Sequence, residues 1–231
     1  MEDKIMKKFL AVALSAALVA GLAAGCGSDS NDAGSGAKTA KVIDVDLTSE
    51  EYAFGVDKTQ PELLDEVNAF IQKIKDDGTL EEIFDKYFGD GEPTPVQSAE
   101  LDESKDQLVV ATNAAFEPFE YMQGDSYVGV DMEIAALLAD ELGQELVIQN
   151  MDFDAVCLSV GQQKCDIAMA GLTVSEDRKE YVTFTDTYYQ ASQRLIVPSD
   201  NTKFDDMTDA ESIAAALGEL DSSVKIGVQQ G

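Results

Sequence analysis

Arg178 is the residue of this 231-residue chain whose position most asks for a ligand. It lies in AGLTVSEDRKEY (residues 170–181), directly after a strand-like run. Ser175 reads as a helix N-cap, with Glu176 and Asp177 in first-turn positions that favour carboxylates. A guanidinium there faces the positive end of the helix dipole, which is mildly unfavourable unless an anion sits in its planar fork. An ion pair with one of the chain's many acids is the other explanation. Gly171 permits close backbone approach, and the Thr173 hydroxyl can donate or accept. Two other loops carry rings. Phe116 and Phe119 flank Pro118 in NAAFEPFEY, and Phe153 opens a helix in MDFDA. Phe116 and Phe153 would face each other across an apolar slot, the usual form of a small-molecule site. Phe119 is as well placed to fold back onto the core. The chemistry implied is non-covalent recognition of a small anion that carries a side group.

Composition narrows this further. The chain has no His, which removes His general bases and His metal ligands. Cys157 and Cys165 stand eight apart and match no zinc pattern. They are either a disulfide or two free buried thiols, and the apolar helical pattern around Cys157 favours the latter. Glu117 and Glu120 are the candidate acids for an enzyme, but nothing pairs them at a working distance. No metal, no cofactor and no catalysis are expected. A formal net charge of −29 argues against nucleic acid and anionic lipid as partners, and suits a hydrated surface.

The elements that must position these residues alternate. Residues 107–112, 145–150 and 166–171 read as buried strands, and 131–143 and 153–163 as helices between them. Short connections imply right-handed crossovers and a parallel-rich sheet with helices on its faces, an α/β fold. Ligands bind at the carboxyl ends of such strands. Residues 193–199 and 224–228 add extended segments, and 208–218 open with a capping box. Ahead of residue 92 stand two strand-like runs, 41–48 and 52–56. A helix follows from Pro61, with Leu63, Leu64, Val67, Phe70, Ile71 and Ile74 on one face. A second begins at the capping box Thr79–Glu82. Residues 92–105 form a Pro-containing charged linker. At the front, Lys7 and Lys8 precede an apolar stretch too short for a comfortable span. It ends in LAAGC, which resembles a lipobox with Cys26 as the lipid attachment site, and a Gly/Ser/Ala-rich tether follows.

The motifs LVVATNAAFEPFEY, YVGVDMEIAALLADELG, MDFDAV and CDIAMAGLTVSEDRKEYVTFTDTYY resemble the polar-amino-acid-binding family of bacterial extracellular solute-binding proteins, the receptors of ABC importers. The resemblance implies a type II periplasmic-binding fold: two α/β lobes joined by two crossing strands, with the amino acid between them. It implies that Arg178 grips the α-carboxylate, that Ala170, Gly171 and Thr173 contact the ligand's backbone ends, and that Phe116 and Phe153 sandwich its side chain. Asn113 stands where many relatives use Asp to read the ligand side chain, and a neutral amide favours a neutral polar ligand. The implied partners are the ligand, the permease subunits and, through a lipid anchor, the membrane. The chain is expected to be monomeric and extracytoplasmic.

Residues 41–91 resemble the same family's C-terminal segment, placed first. The expectation is a circular permutation with its ends inside the second lobe. The expected parts are a signal peptide (1–25), a tether (26–40), a permuted segment with the returning hinge strand (41–91), a linker (92–105), the head of lobe 1 with the outgoing hinge strand (106–199), a connector (200–223) and the first strand of a largely absent lobe 2 (224–231). The hinge pair is expected between Tyr52–Val56 and Gln193–Val197. One lobe without its opposing jaw is expected to bind weakly.

Overall fold

Buried runs alternating with helices produce the central sheet of the computed structural model, which describes residues 39–228. The expected signal peptide, Cys26 and nearly all of the tether lie outside the described residues. The chain begins with β1 (Ala40–Val42), β2 (Glu50–Tyr52) and β3 (Gly55–Asp57), then α1 (Pro61–Asp76) and α2 (Thr79–Phe88). After residues 89–106 come β4 (Gln107–Thr112), a three-stranded meander of β5 (Ala115–Phe116), β6 (Glu120–Gln123) and β7 (Ser126–Val128), α3 (Val130–Leu142), β8 (Glu145–Asn150), α4 (Phe153–Gly161) and β9 (Ile167–Ala168). A single 3-10 turn (Arg178–Glu180) leads to β10 (Val182–Phe184), β11 (Tyr189–Ala191), β12 (Ile196–Pro198) and α5 (Ala210–Gly218).

The sheet order is β10-β3-β9-β4-β8. β4 is parallel to β8 and β9, as the crossovers through α3 and α4 require. β3 is antiparallel to both β9 and β10, so the sheet is mixed. The reversed strand is the one supplied by the front segment, which enters without a crossover helix. That segment shares one core with the rest: Phe54, Val56, Val67 and Ile71 pack in a single cluster with Leu108, Val110, Ile134, Leu138 and Ile167.

Several local expectations change. Helix α2 is not opened by a Thr79 cap. Gly78 takes the left-handed N-cap position (φ 87°), and the Asp77 carboxylate accepts the Thr79 N–H at 3.0 Å. Helix α5 is capped by Asp209, which accepts from the Ser212 N–H at 2.8 Å, one residue after the expected Thr208. The run 52–56 is two short strands rather than one. The hinge pairing is also different. β2 pairs with β11, matching Tyr52 to Tyr189, while β1 pairs with β12. Gln193 and Leu195 carbonyls accept from Leu47 and Ile43 instead of from residues 52–56. Aromatic burial sets this register, because Tyr188 stacks on Phe54 at 4.4 Å and Tyr189 contacts Tyr52 at 5.7 Å.

The linker is also packed. Val96 is buried against Met132 and Ile148, exchanges two backbone hydrogen bonds with Tyr127, and the Ser98 hydroxyl accepts from the Ile148 N–H. It runs as a strap over the β8 edge, where one apolar side chain in a charged stretch is enough to hold it. Around the β1–β12 pair, Ile43, Val197, Phe204, Ile213 and Ala216 form a small separate cluster. Residues 224–228 are exposed and take no strand pairing, so the expected strand there does not form among the described residues.

Candidate functional site

Three loops leave the carboxyl ends of β4, β8 and β9 on one side of the sheet. The first two are tied together. Asn113 donates from Nδ2 to the Met151 carbonyl (2.7 Å), Asn150 Oδ1 accepts the Ala114 N–H (3.0 Å), and Met151 N–H donates to the Thr112 carbonyl (2.9 Å). The Asn113 amide nitrogen is therefore engaged, and Oδ1 is the acceptor it presents.

Phe116 is half-buried and stacks on Phe119, with centroids 5.4 Å apart. Phe119 is buried in a ring cluster with Tyr52, Phe88 and Tyr189, which makes it core. Phe116 lies directly over Gly171, where an added Cβ would come within 2.7 Å of the ring. Phe153 has a partner of its own. Its ring lies against the Arg178 guanidinium at 5.1 Å, a cation–π contact that fixes the Arg178 side chain. Phe116 thus has Gly171 beneath it, and Phe153 has the Arg178 guanidinium against it.

Arg178 donates from Nη1 to the Thr173 carbonyl at 2.8 Å. It opens a 3-10 turn rather than an α-helix, with its own N–H 3.4 Å from Ser175 Oγ, so no helix dipole opposes it. It takes no part in the ion pairs formed by Lys41, Lys73, Lys86, Lys105, Lys179 and Arg194. Ala170 is fully buried, backbone included, with Ala111, Val156 and Leu172.

Gly171 sits at φ 54°, in the left-handed region, and its N–H donates to Asp131 Oδ2 at 2.8 Å. Asp131 was not foreseen as a site residue. Its carboxyl is fully buried in the first turn of α3 and also accepts from the Tyr188 hydroxyl at 2.5 Å. Burial pushes it up to about 7, against the pull of those two donors. The same turn clamps the aromatic loop, since Val130 and Asp131 N–H groups donate to the Pro118 and Phe119 carbonyls. The start of α3 therefore positions both the Phe116 loop and the Gly171 loop. The only trace of this in the sequence is an Asp wedged between Val130 and Met132. Glu120, a candidate acid in the enzyme reading, is fully buried beneath the site with neither carboxyl oxygen partnered. Burial, then the nearby Asp131, raise it well above the ordinary glutamate range. Glu117 is exposed and unpaired with it. Cys157 and Cys165 are free and buried, and burial raises both thiols.

Gly171→Ala offers a local check. The Cβ would occupy a strained backbone region and displace Phe116. We expect a destabilisation of about 1–2 kcal/mol, read as a lower midpoint in urea. An unchanged midpoint would show that the Phe116 ring is not seated on Gly171.

The family model of bacterial extracellular solute-binding proteins, family 3, matches residues 5–90 and 108–227. The chain belongs to that family. The fold of the described residues is accordingly the α/β lobe of a type II periplasmic-binding protein. The arginine-binding extracellular protein ArtP of Bacillus subtilis is 36% identical over 97 residues, 42% of this chain and 38% of that protein. The histidine-binding periplasmic protein of Salmonella typhimurium is 28% identical over 127 residues, 54% of this chain and 44% of that protein. A mutant of the arginine-bound form of domain 1 from TmArgBP is 31% identical, with a TM-score of 0.36, covering 51% of this chain and 93% of that one. The chain spans about two fifths of the length of the curated relatives it matches.

Proposed function

We propose that this chain carries the ligand-binding lobe of an exported receptor that delivers a polar amino acid to an ABC importer, without catalysing any reaction. The observation that carries this reading is Arg178, a guanidinium propped by the Phe153 ring and the Thr173 carbonyl in the loop that follows β9. A free α-carboxylate is the partner that its planar fork suits. Arginine- and histidine-binding relatives support an amino acid as the ligand class. At the side-chain end, Asn113 offers a neutral carbonyl acceptor, which favours an uncharged side chain with N–H donors, such as glutamine. Burial of both Glu120 and the neighbouring Asp131, neither of which reaches the surface, supports binding rather than acid catalysis.

The shared core of residues 50–88 with 107–191 supports the circularly permuted arrangement, with residues 92–105 as the strap that joins the two pieces. The signal-like front and LAAGC support export and a lipid anchor on Cys26. Among the described residues no helix is long and apolar enough to cross a membrane.

A charge-assisted carboxylate pair is worth about 1.5–3 kcal/mol, so Arg178→Ala should weaken binding roughly 10- to 100-fold. The test is a thermal-shift screen of the common amino acids at millimolar concentration, where one lobe's affinity suffices. At least one polar amino acid should raise the wild-type midpoint and leave Arg178→Ala unmoved. If none stabilises the wild type, the reading fails. A larger response to arginine or histidine than to glutamine would overturn the neutral side-chain assignment.

A further inference from the structure

β8 closes one end of the five-stranded sheet, with six residues against three in β10 at the other end. Its sequence, ELVIQN, carries three consecutive apolar residues and a single charge. The Glu145 and Met151 N–H groups donate inward, to the Asp106 and Thr112 carbonyls. Backbone groups of successive strand residues point to alternate sides. Leu146, Ile148 and Asn150 therefore turn theirs outward. A long edge of this kind is a template for another strand.

The strap takes up these groups. The Ala99 N–H donates to the Leu146 carbonyl at 2.9 Å, and the Ile148 N–H donates to Ser98 Oγ at 2.8 Å. Val96 seals the apolar side, buried against Met132 and Ile148, while its backbone exchanges two bonds with Tyr127 of β7. Thr94 Oγ1 accepts from Lys86, and the Gln107 side chain bonds the backbone of both Glu100 and Asp102, so this stretch is tied down at each end. The strap offers no fresh edge in turn. Pro93 and Pro95 have no N–H, one of its two bonds to β8 uses a hydroxyl in place of a carbonyl, and Glu100, Asp102 and Glu103 are exposed charges.

We propose that residues 94–99 are an edge guard: they occupy the place where the β8 strand of a second copy of this chain would otherwise add, and so keep two sheets from joining. The sequence of β8 makes a second copy the occupant. Two such edges related by a twofold axis meet antiparallel, with Ile148 opposite Ile148 and Leu146 opposite Asn150. That register sets Glu145 opposite Met151, so no like charges meet across it. The Leu146 carbonyl and the Ile148 N–H held by the strap are groups this pairing needs, so strap and second copy exclude each other. Departure of the strap would also uncover Met132 and Ile148, apolar area that a second copy would cover.

The experiment pairs sedimentation velocity with amide hydrogen exchange by NMR, each over a concentration series. Val96→Asp combined with Ser98→Gly expels the strap, because it sets a carboxylate against Met132 and Ile148 and removes the hydroxyl. Leu80→Ala is the control: it takes a buried apolar side chain out of α2 and leaves the strap in place. The variants are compared at equal fractions folded. The strap variant should self-associate about 10-fold or more tightly than wild type. Its Ile148 amide should exchange fast when dilute and slowly when concentrated. Wild type and Leu80→Ala should keep that amide slow at every concentration. A strap variant as monomeric as wild type overturns the proposal. Equal association of Leu80→Ala overturns it too, since lost stability alone would then be the cause. Association without slowed exchange at Ile148 also overturns it, by placing the contact elsewhere. Should the double variant fail to fold, Ser98→Ala alone frees the Ile148 N–H and is judged by the same two readouts.

Discussion

Gly129→Ala should lower the thermal midpoint by roughly 10 °C or more, the largest loss expected from any single methyl group in this chain. Gly129 adopts φ 133°, and a Cβ there would lie 2.1 Å from the Phe119 carbonyl oxygen, 2.4 Å from its carbon and 2.8 Å from the Glu120 nitrogen. All three atoms are backbone, so no side-chain rotation relieves the clash. The segment must move, and with it the Val130 and Asp131 bonds to the aromatic loop and the Asp131 bond to Gly171. Strain of this kind costs about 3–4 kcal/mol or more, a large share of an ordinary stability of about 5–15 kcal/mol. Gly124→Ala is the control: it too has a positive φ, 61°, but nothing lies within 4 Å of its Cβ. Its loss should be near 1 kcal/mol. Equal midpoints for the two variants would show that the close approach at Gly129 is not a determinant of the fold.

Acidification from about pH 7 toward pH 4 should stabilise the fold, the reverse of the usual acid response. Asp131 titrates at about 7 in the folded chain because burial disfavours its charge. Its unfolded value is near 4. The folded state therefore binds the proton more tightly. The stabilisation is complete below the unfolded value and fades as the pH rises through the folded one. Glu120 is raised for the same first reason, burial, and adds in the same direction. Exposed carboxylates held low by hydrogen bonds from Arg194, Ser104 or Lys105, such as Asp46, Asp102 and Glu145, act oppositely. Their contribution is screened by solvent and is lost only below about pH 4. A urea midpoint measured from pH 8 to pH 4 should rise. Glu120→Met, which replaces an unpartnered buried carboxyl with an apolar group of similar length, should raise the midpoint at pH 8 and flatten the curve. A midpoint that falls steadily from pH 8, or a Glu120→Met variant less stable at pH 8, would contradict the burial argument.

The strands at residues 107–112 and 145–150, helices α1, α3 and α4, and the loops that carry Asn113, Phe153 and Arg178 were all legible from the sequence. Each depends on local periodicity or on a residue at a strand end. The resemblance of residues 41–91 to a family's closing segment also foretold that they would share a core with residues 106–199. What the sequence concealed are the relations across the fold. The capping box at Thr79 competed with a closer carboxylate, Asp77. The charged linker was tied down by a single apolar residue, Val96. The strand partners of residues 50–52 were shifted to residues 189–191 by aromatic packing of Tyr188 and Tyr189. The packing of Phe116 on Phe119 and of Phe153 on Arg178 was not legible either.

By itself, the sequence determined a His-free α/β fold and the strand-end motifs of its family, because residue types, hydrophobic period and such motifs are properties of short stretches. Only the tertiary structure decided which groups share the site. Asp131 stands 40 residues from the Gly171 amide it holds, and Glu50 stands 123 residues from the Thr173 hydroxyl it receives. Contacts at such separations depend on the sheet order and on the burial of a few rings. A carboxylate reads the same in a sequence whether it faces water, as Glu117 does, or lies sealed beneath the site, as Glu120 does. Desolvation and partner geometry, which arise only when distant segments pack together, give each of these acids its role.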